Sequence, residues 1–201
     1  MSWFDDAAVM AATVLAITSL IPQARRLRRT HDAAGVSITW TAIGSVTNAG
    51  WFTYVSTEGL WASAPATVLS SAFYAWLFLL LARLGTPWRR AAQLGAAWGG
   101  VLIVMTSLSS LAVLGSVLGL AYAIQVGPSV WTAYRTWAPT GVAPETWLMM
   151  LVQVVLWGVY GLANGDVPIM IYGVTGFTAS VLMLARWYVT RGRVPAPAVL
   201  R

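Results

Sequence analysis

The stretch from Ala91 to Tyr134 reads AAQLGAAWGGVLIVMTSLSSLAVLGSVLGLAYAIQVGPSVWTAY, 44 residues without one charge. A helix crosses the hydrocarbon core of a bilayer in about 20 residues, so this stretch is long enough for two spans. Ser107, Leu108, Ser109 and Ser110 supply a turn in its middle, which predicts spans over 92–107 and 110–134. Outward from there, apolar blocks over 7–27, 36–55, 61–83, 142–163 and 167–189 bring the total to seven. Charged residues make up 9% of the chain, against about 25% in soluble domains, so lipid rather than water is its main solvent. The expected class is an all-α integral membrane protein.

Charge tests the count of spans. The chain has arginine but no lysine, and the arginines fall into clusters. Arg25, Arg26, Arg28 and Arg29 follow the first span, Arg83, Arg89 and Arg90 the third, and Arg135 the fifth. Arg186, Arg191, Arg193 and Arg201 follow the seventh. With seven spans and the N-terminus outside, every cluster is cytosolic, as the positive-inside rule requires. Asp5, Asp6, Glu58 and Asp166 then fall outside. A single span over 91–134 would put Arg135 and the C-terminal arginines on the wrong side. The net charge of +6 is therefore a topology signal, and nucleic acid is not needed as a partner. Asp5 and Asp6 also have the wrong sign for the start of a cleavable signal peptide. Arginine without lysine fits a GC-rich bacterial genome, hence a bacterial cytoplasmic membrane with the C-terminus cytosolic.

The chain repeats itself. A shift of 106 places Pro22 on Pro128, Thr30 on Thr136, Gly35-Val36 on Gly141-Val142, Trp51 on Trp157, Tyr54 on Tyr160 and Gly59 on Gly165. Shortened by three residues, the same alignment brings Pro65 onto Pro168 and Leu81-Ala82-Arg83 onto Leu184-Ala185-Arg186. Three spans per repeat is an odd number, so one extra span is needed to keep the two repeats parallel. This predicts a 3+1+3 arrangement: a first three-helix repeat over 1–90, a linker helix over 91–108, and a second repeat with a cytosolic tail over 109–201. Parallel repeats of this kind place a substrate site at their interface.

Ser19-Leu20-Ile21-Pro22-Gln23, Thr30-His31-Asp32, Gly35-Val36-Ser37, Trp51-Phe52-Thr53-Tyr54 and Pro65 resemble the PQ-loop motif of the SWEET and SemiSWEET sugar transporters. Pro128, Trp157-Gly158-Val159-Tyr160-Gly161 and Pro168 resemble the same family in the second repeat, although Ser129 stands where Gln23 stands in the first. The resemblance covers roughly residues 8–189. It implies a facilitator that moves mono- or disaccharides down their gradient by rocking two bundles around a central cavity. It also implies that Trp51 and Trp157 contact the sugar. The family's third-helix asparagines would fall at Ser70 and Gly173, so this chain departs from the pattern at both.

The residues carry their own chemistry. An indole offers a wide, rigid, amphipathic surface for a sugar ring, or for packing between helices. Asn48 and Gln153 lie three and four residues before the two tryptophans, on the same helix face. Their amides suit hydroxyl recognition and are candidate substitutes for the missing asparagines; interhelical bonding is the other use of such groups. Ser70, Tyr172 and Gly173 occupy the matching stretch of the third helices, with Ser71 read as a packing residue. Pro22 and Pro128 would kink equivalent helices and so form a hinge or gate, with Gln23 capping freed groups beside the first. Gly95/Gly99 and Gly115/Gly119 have the spacing of close helix packing. His31 is a solvated loop residue, alone and so no metal site.

No charged residue lies near the middle of any span, which argues for passive rather than ion-coupled transport. The chain has no cysteine, and no nucleophile–base arrangement or phosphate loop is visible, so neither enzymatic activity nor a cofactor is expected. The partners expected are a small polar solute, a mono- or disaccharide by resemblance, and the lipid bilayer. Two repeats in one chain can complete a pore in a monomer, and homo-oligomers stay open. Two other readings stand beside transport: a membrane scaffold that kept the fold and lost transport, and a mover of a larger, lipid-linked substrate.

Overall fold

The computed structural model describes residues 3–59, 61, 64–108 and 111–193, and among them the chain forms α-helices and no strand. In chain order the helices are α1 (Trp3–Thr18), α2 (Ile21–Thr30), α3 (Ile38–Thr57), α4 (Ala64–Arg83), α5 (Arg89–Leu108), α6 (Leu111–Arg135), α7 (Pro144–Asn164) and α8 (Val167–Thr190). Five of them, α4 to α8, are long and apolar enough to cross a membrane, which makes this an integral membrane protein.

The other two expected spans differ for physical reasons. The first is broken: α1 ends at Thr18 and α2 begins at Ile21, so neither piece has the length of a span. The break precedes Pro22, which sits in the first turn of α2. There proline's missing N–H costs no helical bond. The two prolines therefore differ in setting, because α6 runs on through Pro128. α3 is long enough at 20 residues, but its threonines, serines and Asn48 lower its hydropathy. Two of those groups bond to neighbouring helices. Thr47 accepts a bond from the Trp98 indole of α5 at 3.0 Å, and Ser45 and Ser71 exchange bonds between α3 and α4. Ser71 thus packs helices, as expected. In the 91–134 stretch, α5 ends at Leu108 and α6 begins at Leu111; Ser109 and Ser110 of the expected turn lie outside the described residues.

Helix neighbours repeat along the chain. α4 packs against both α1 and α3, and α8 packs against both α6 and α7. α5 lies against α3. The two groups meet where α1 touches α7 and α3 touches α6. The glycine pairs serve close approach. A Cβ on Gly95 or Gly99 would meet Ala42 or Val46 of α3, and one on Gly119 would lie 2.7 Å from the Pro168 carbonyl oxygen.

The described arginines gather at one end, the basic end, where α2, α4, α6 and α8 finish and α3, α5 and α7 start. The largest buried cluster sits toward this end, with Leu20, Leu27, Trp40, Leu77, Leu81, Trp147 and Met183 in it.

Candidate functional site

A cavity of about 330 Å³ opens between the helices from mid-length toward the end opposite the arginines. Trp61, 63% exposed, lies on its rim, so the cavity meets the surface there. Six side chains singled out in the sequence, Trp51, Trp157, Asn48, Gln153, Ser70 and Tyr172, line it.

The two tryptophans occupy matching surroundings. Trp51 meets Tyr54 edge-on, centroids 5.7 Å apart at 85°; Trp157 meets Tyr160 at 5.8 Å and 88°. The one-turn spacing between each tryptophan and tyrosine puts both rings on one face of α3 and of α7. Trp51 also stands edge-on to Tyr172, 6.2 Å away, and Tyr172 lies 4.4 Å from the ring of Tyr122. One continuous aromatic wall results, built from α3, α6 and α8.

The polar groups are less alike. The Gln153 amide donates to the Tyr172 hydroxyl at 3.0 Å, so α7 positions the phenol of α8. The Asn48 amide instead donates to the Gly44 carbonyl of its own helix at 2.8 Å. Ser70 donates to the Ala16 carbonyl at 3.2 Å and so ties α4 to α1 while facing the cavity. Gly173 is where the structure departs from the expected site. It lies against Gly158, and a Cβ there would come within 2.7 Å of the Gly158 Cα. It brings α7 and α8 together and does not line the cavity.

Sequence reasoning missed Gln125, Tyr74 and Tyr122, all in the lining. Gln125 had a signal: it lies three residues before Pro128, as Ser19 lies three before Pro22, and both face the cavity. Among the described residues, none in the lining is charged. Amides, phenols and hydroxyls supply donors and acceptors, and indoles supply flat apolar surface. Such a lining suits a neutral, hydroxyl-bearing molecule and offers an ion no compensating charge.

Toward the basic end the cavity is closed. Beneath it, Tyr74 stands edge-on to Trp40 at 5.3 Å, and Trp40 stacks on Trp147 across the α3–α7 boundary at 5.6 Å and 28°. Both indoles are 1% exposed, and the Trp40 N–H has no hydrogen-bond partner. Below them, Gln23 joins the two halves of the chain. Its Nε2 donates to the Gly141 carbonyl at 2.8 Å, its Oε1 accepts from the Ala143 N–H at 2.9 Å, and its own N–H reaches Thr146 Oγ1 at 3.0 Å. Gln23 thus bridges halves rather than capping groups freed beside Pro22. The repeat-related glycines complete the seam. A Cβ on Gly35 would strike Pro139, one on Gly141 would strike the backbone of 32–34, and the Gly141 N–H donates to the Ala34 carbonyl at 2.9 Å. Arg26 bonds the Thr140 carbonyl at 2.7 Å, and the Thr140 hydroxyl bonds the Asp32 carboxylate.

A scan against protein-family models returns no match, and a search of curated proteins returns none either.

Proposed function

We propose that this protein is a passive transporter of a neutral, hydroxyl-rich solute, a mono- or disaccharide, working by alternating access. On this reading the helices divide 3+1+3. α1–α2, α3 and α4 form one bundle, α6, α7 and α8 the other, and α5 links them. The matched Trp51–Tyr54 and Trp157–Tyr160 pairs on one uncharged cavity are the observation that carries it. The repeated helix neighbours support the division, α4 lying between α1 and α3 as α8 lies between α6 and α7. The resemblance of the PQ-loop segments to SWEET transporters supports the solute class. With the arginines cytosolic, the cavity faces outward and the Gln23–Gly141 seam is the closed inner gate.

A scaffold that had lost transport has less in its favour, because the cavity is not filled by side chains. A lipid-linked substrate has less too, since about 330 Å³ lies at the small end of ordinary small-molecule sites, about 300–1,000 Å³. The test is uptake of radiolabelled glucose and sucrose into proteoliposomes without an ion gradient. Saturable uptake that disappears in Trp51→Ala/Trp157→Ala supports the proposal. No uptake of either sugar by folded wild-type protein rejects these solutes.

A further inference from the structure

The basic end is not uniform. Among the described residues, arginine–ring contacts are confined to the joined ends of α6 and α8. Arg135 lies 4.3 Å from the Trp131 ring, Arg191 4.1 Å from Tyr188, Arg193 4.2 Å from Trp137, and Arg186 5.5 Å from Tyr134. The same ends are tied together by hydrogen bonds. Arg186 donates to the Ala133 and Thr136 carbonyls, Tyr134 to the Leu182 carbonyl, and Arg193 to the Trp137 carbonyl. These contacts hold the guanidinium groups beside aromatic rings and carbonyls, which orient them without neutralising them. Trp131, Trp137 and Tyr188 are each at least 60% exposed.

An apolar patch on the surface of α8 leads into this cluster. It is made by Val181, Leu184, Ala185, Trp187, Tyr188 and Val189. Val181, Leu184, Ala185 and Tyr188 recur at the spacing of one helix face, so the patch follows the helix axis. Tyr188 belongs to both features and carries Arg191 on its ring. An exposed apolar helix face that ends at fixed cations matches a molecule with a hydrocarbon tail and an anionic head.

We infer that the joined ends of α6 and α8 bind an anionic phospholipid of the leaflet at the basic end. Its phosphate meets Arg135, Arg191 and Arg193, and an acyl chain lies along the apolar face of α8. The inference rests on the membrane reading of the helices and not on transport. Arg25, Arg28 and Arg29 are exposed at the same end and make an equal-charge control.

The test is native mass spectrometry of the detergent-solubilised full chain titrated with phosphatidylglycerol or phosphatidylcholine. Wild type should retain phosphatidylglycerol selectively. Arg135→Gln/Arg191→Gln/Arg193→Gln should weaken that binding roughly tenfold or more, and Arg25→Gln/Arg28→Gln/Arg29→Gln under about threefold, since loss of general attraction to the surface is common to both. Ala185→Trp, which sets a bulky ring on that face and keeps every charge, should weaken it as well. Millimolar inorganic phosphate should not displace the lipid. Equal losses in the two arginine triples, no preference over phosphatidylcholine, an unaffected Ala185→Trp variant, or displacement by phosphate would each overturn the inference.

Discussion

Replacing Gln23 with methionine isolates what the seam between the halves contributes. The side chain is 1% exposed, and its two amide bonds reach Gly141 and Ala143, which are themselves buried. Methionine keeps the length and approximate volume but leaves the Gly141 carbonyl and the Ala143 N–H without those partners. A buried orphan costs about 1–3 kcal/mol, so two at the lower figure come to about 2 kcal/mol, a factor of roughly 30. If the basic end opens during transport, both groups meet water in the open state and the penalty falls on the closed state alone. The equilibrium should then move toward opening by about that factor. The chain has no cysteine, so spin labels at Arg28→Cys and Glu145→Cys report the gap across the seam without background. Both positions are exposed, on α2 and in the first turn of α7. Double electron–electron resonance in liposomes should show a longer-distance population rising in Gln23→Met. A lower unfolding temperature with an unchanged distance distribution would refute the reasoning, because the seam would then be a static part of the fold.

Four further substitutions have expected outcomes. Gly173→Ala must force apart two helix backbones and should cost about 1–3 kcal/mol, seen as a lower unfolding midpoint with unaltered solute affinity in the folded fraction. Gly158→Ala, whose Cβ would sit 3.7 Å from the Gly173 Cα in ordinary contact, should be nearly neutral by the same measurement. Gln153→Leu strips the Tyr172 hydroxyl of its amide partner and should weaken solute binding by about 1 kcal/mol, or roughly fivefold; Asn48→Leu, whose bond lies within its own helix, should weaken it less. Calorimetric titration of the double variant decides whether these amides serve the site at all, and unchanged binding would remove both from it.

The seam and the cavity together show how a repeat becomes asymmetric. Ala16 and Tyr122 are related by the repeat shift, as are Ser19 and Gln125, and all four line the cavity. The first half presents small side chains where the second presents large polar ones. At these two positions the cavity is therefore walled by a phenol and an amide on one side and widened by small groups on the other. At the basic end the asymmetry is in the bonding. Gln23 spans the halves through its amide, while Ser129, its repeat partner, is too short to make the same pair of bonds. Asp32 likewise bonds Thr140 where its repeat-related position holds Ala138.

The membrane class was legible because hydrophobic blocks and arginine clusters are local, and a bilayer leaves a chain little choice but to bury its backbone bonds in helices. The repeat and the helix-face spacing also marked Trp51, Trp157, Asn48 and Gln153 as residues that could share a space, while Ser70 and Tyr172 were marked through the resemblance to the third helices of the SWEET family. Tertiary packing decided the rest. Pro22 begins a helix while Pro128 lies inside one, although the sequence treats them alike, because the chain before Pro22 turns at Ser19–Leu20. Gly173 went to a helix crossing, since what a glycine does depends on which backbone approaches it. The stacking of Trp40 on Trp147 and the reach of Gln23 to Gly141 join residues more than 100 positions apart. Neither has a local signature, because each contact exists only once α3 and α7, or α2 and the loop before α7, have been brought side by side.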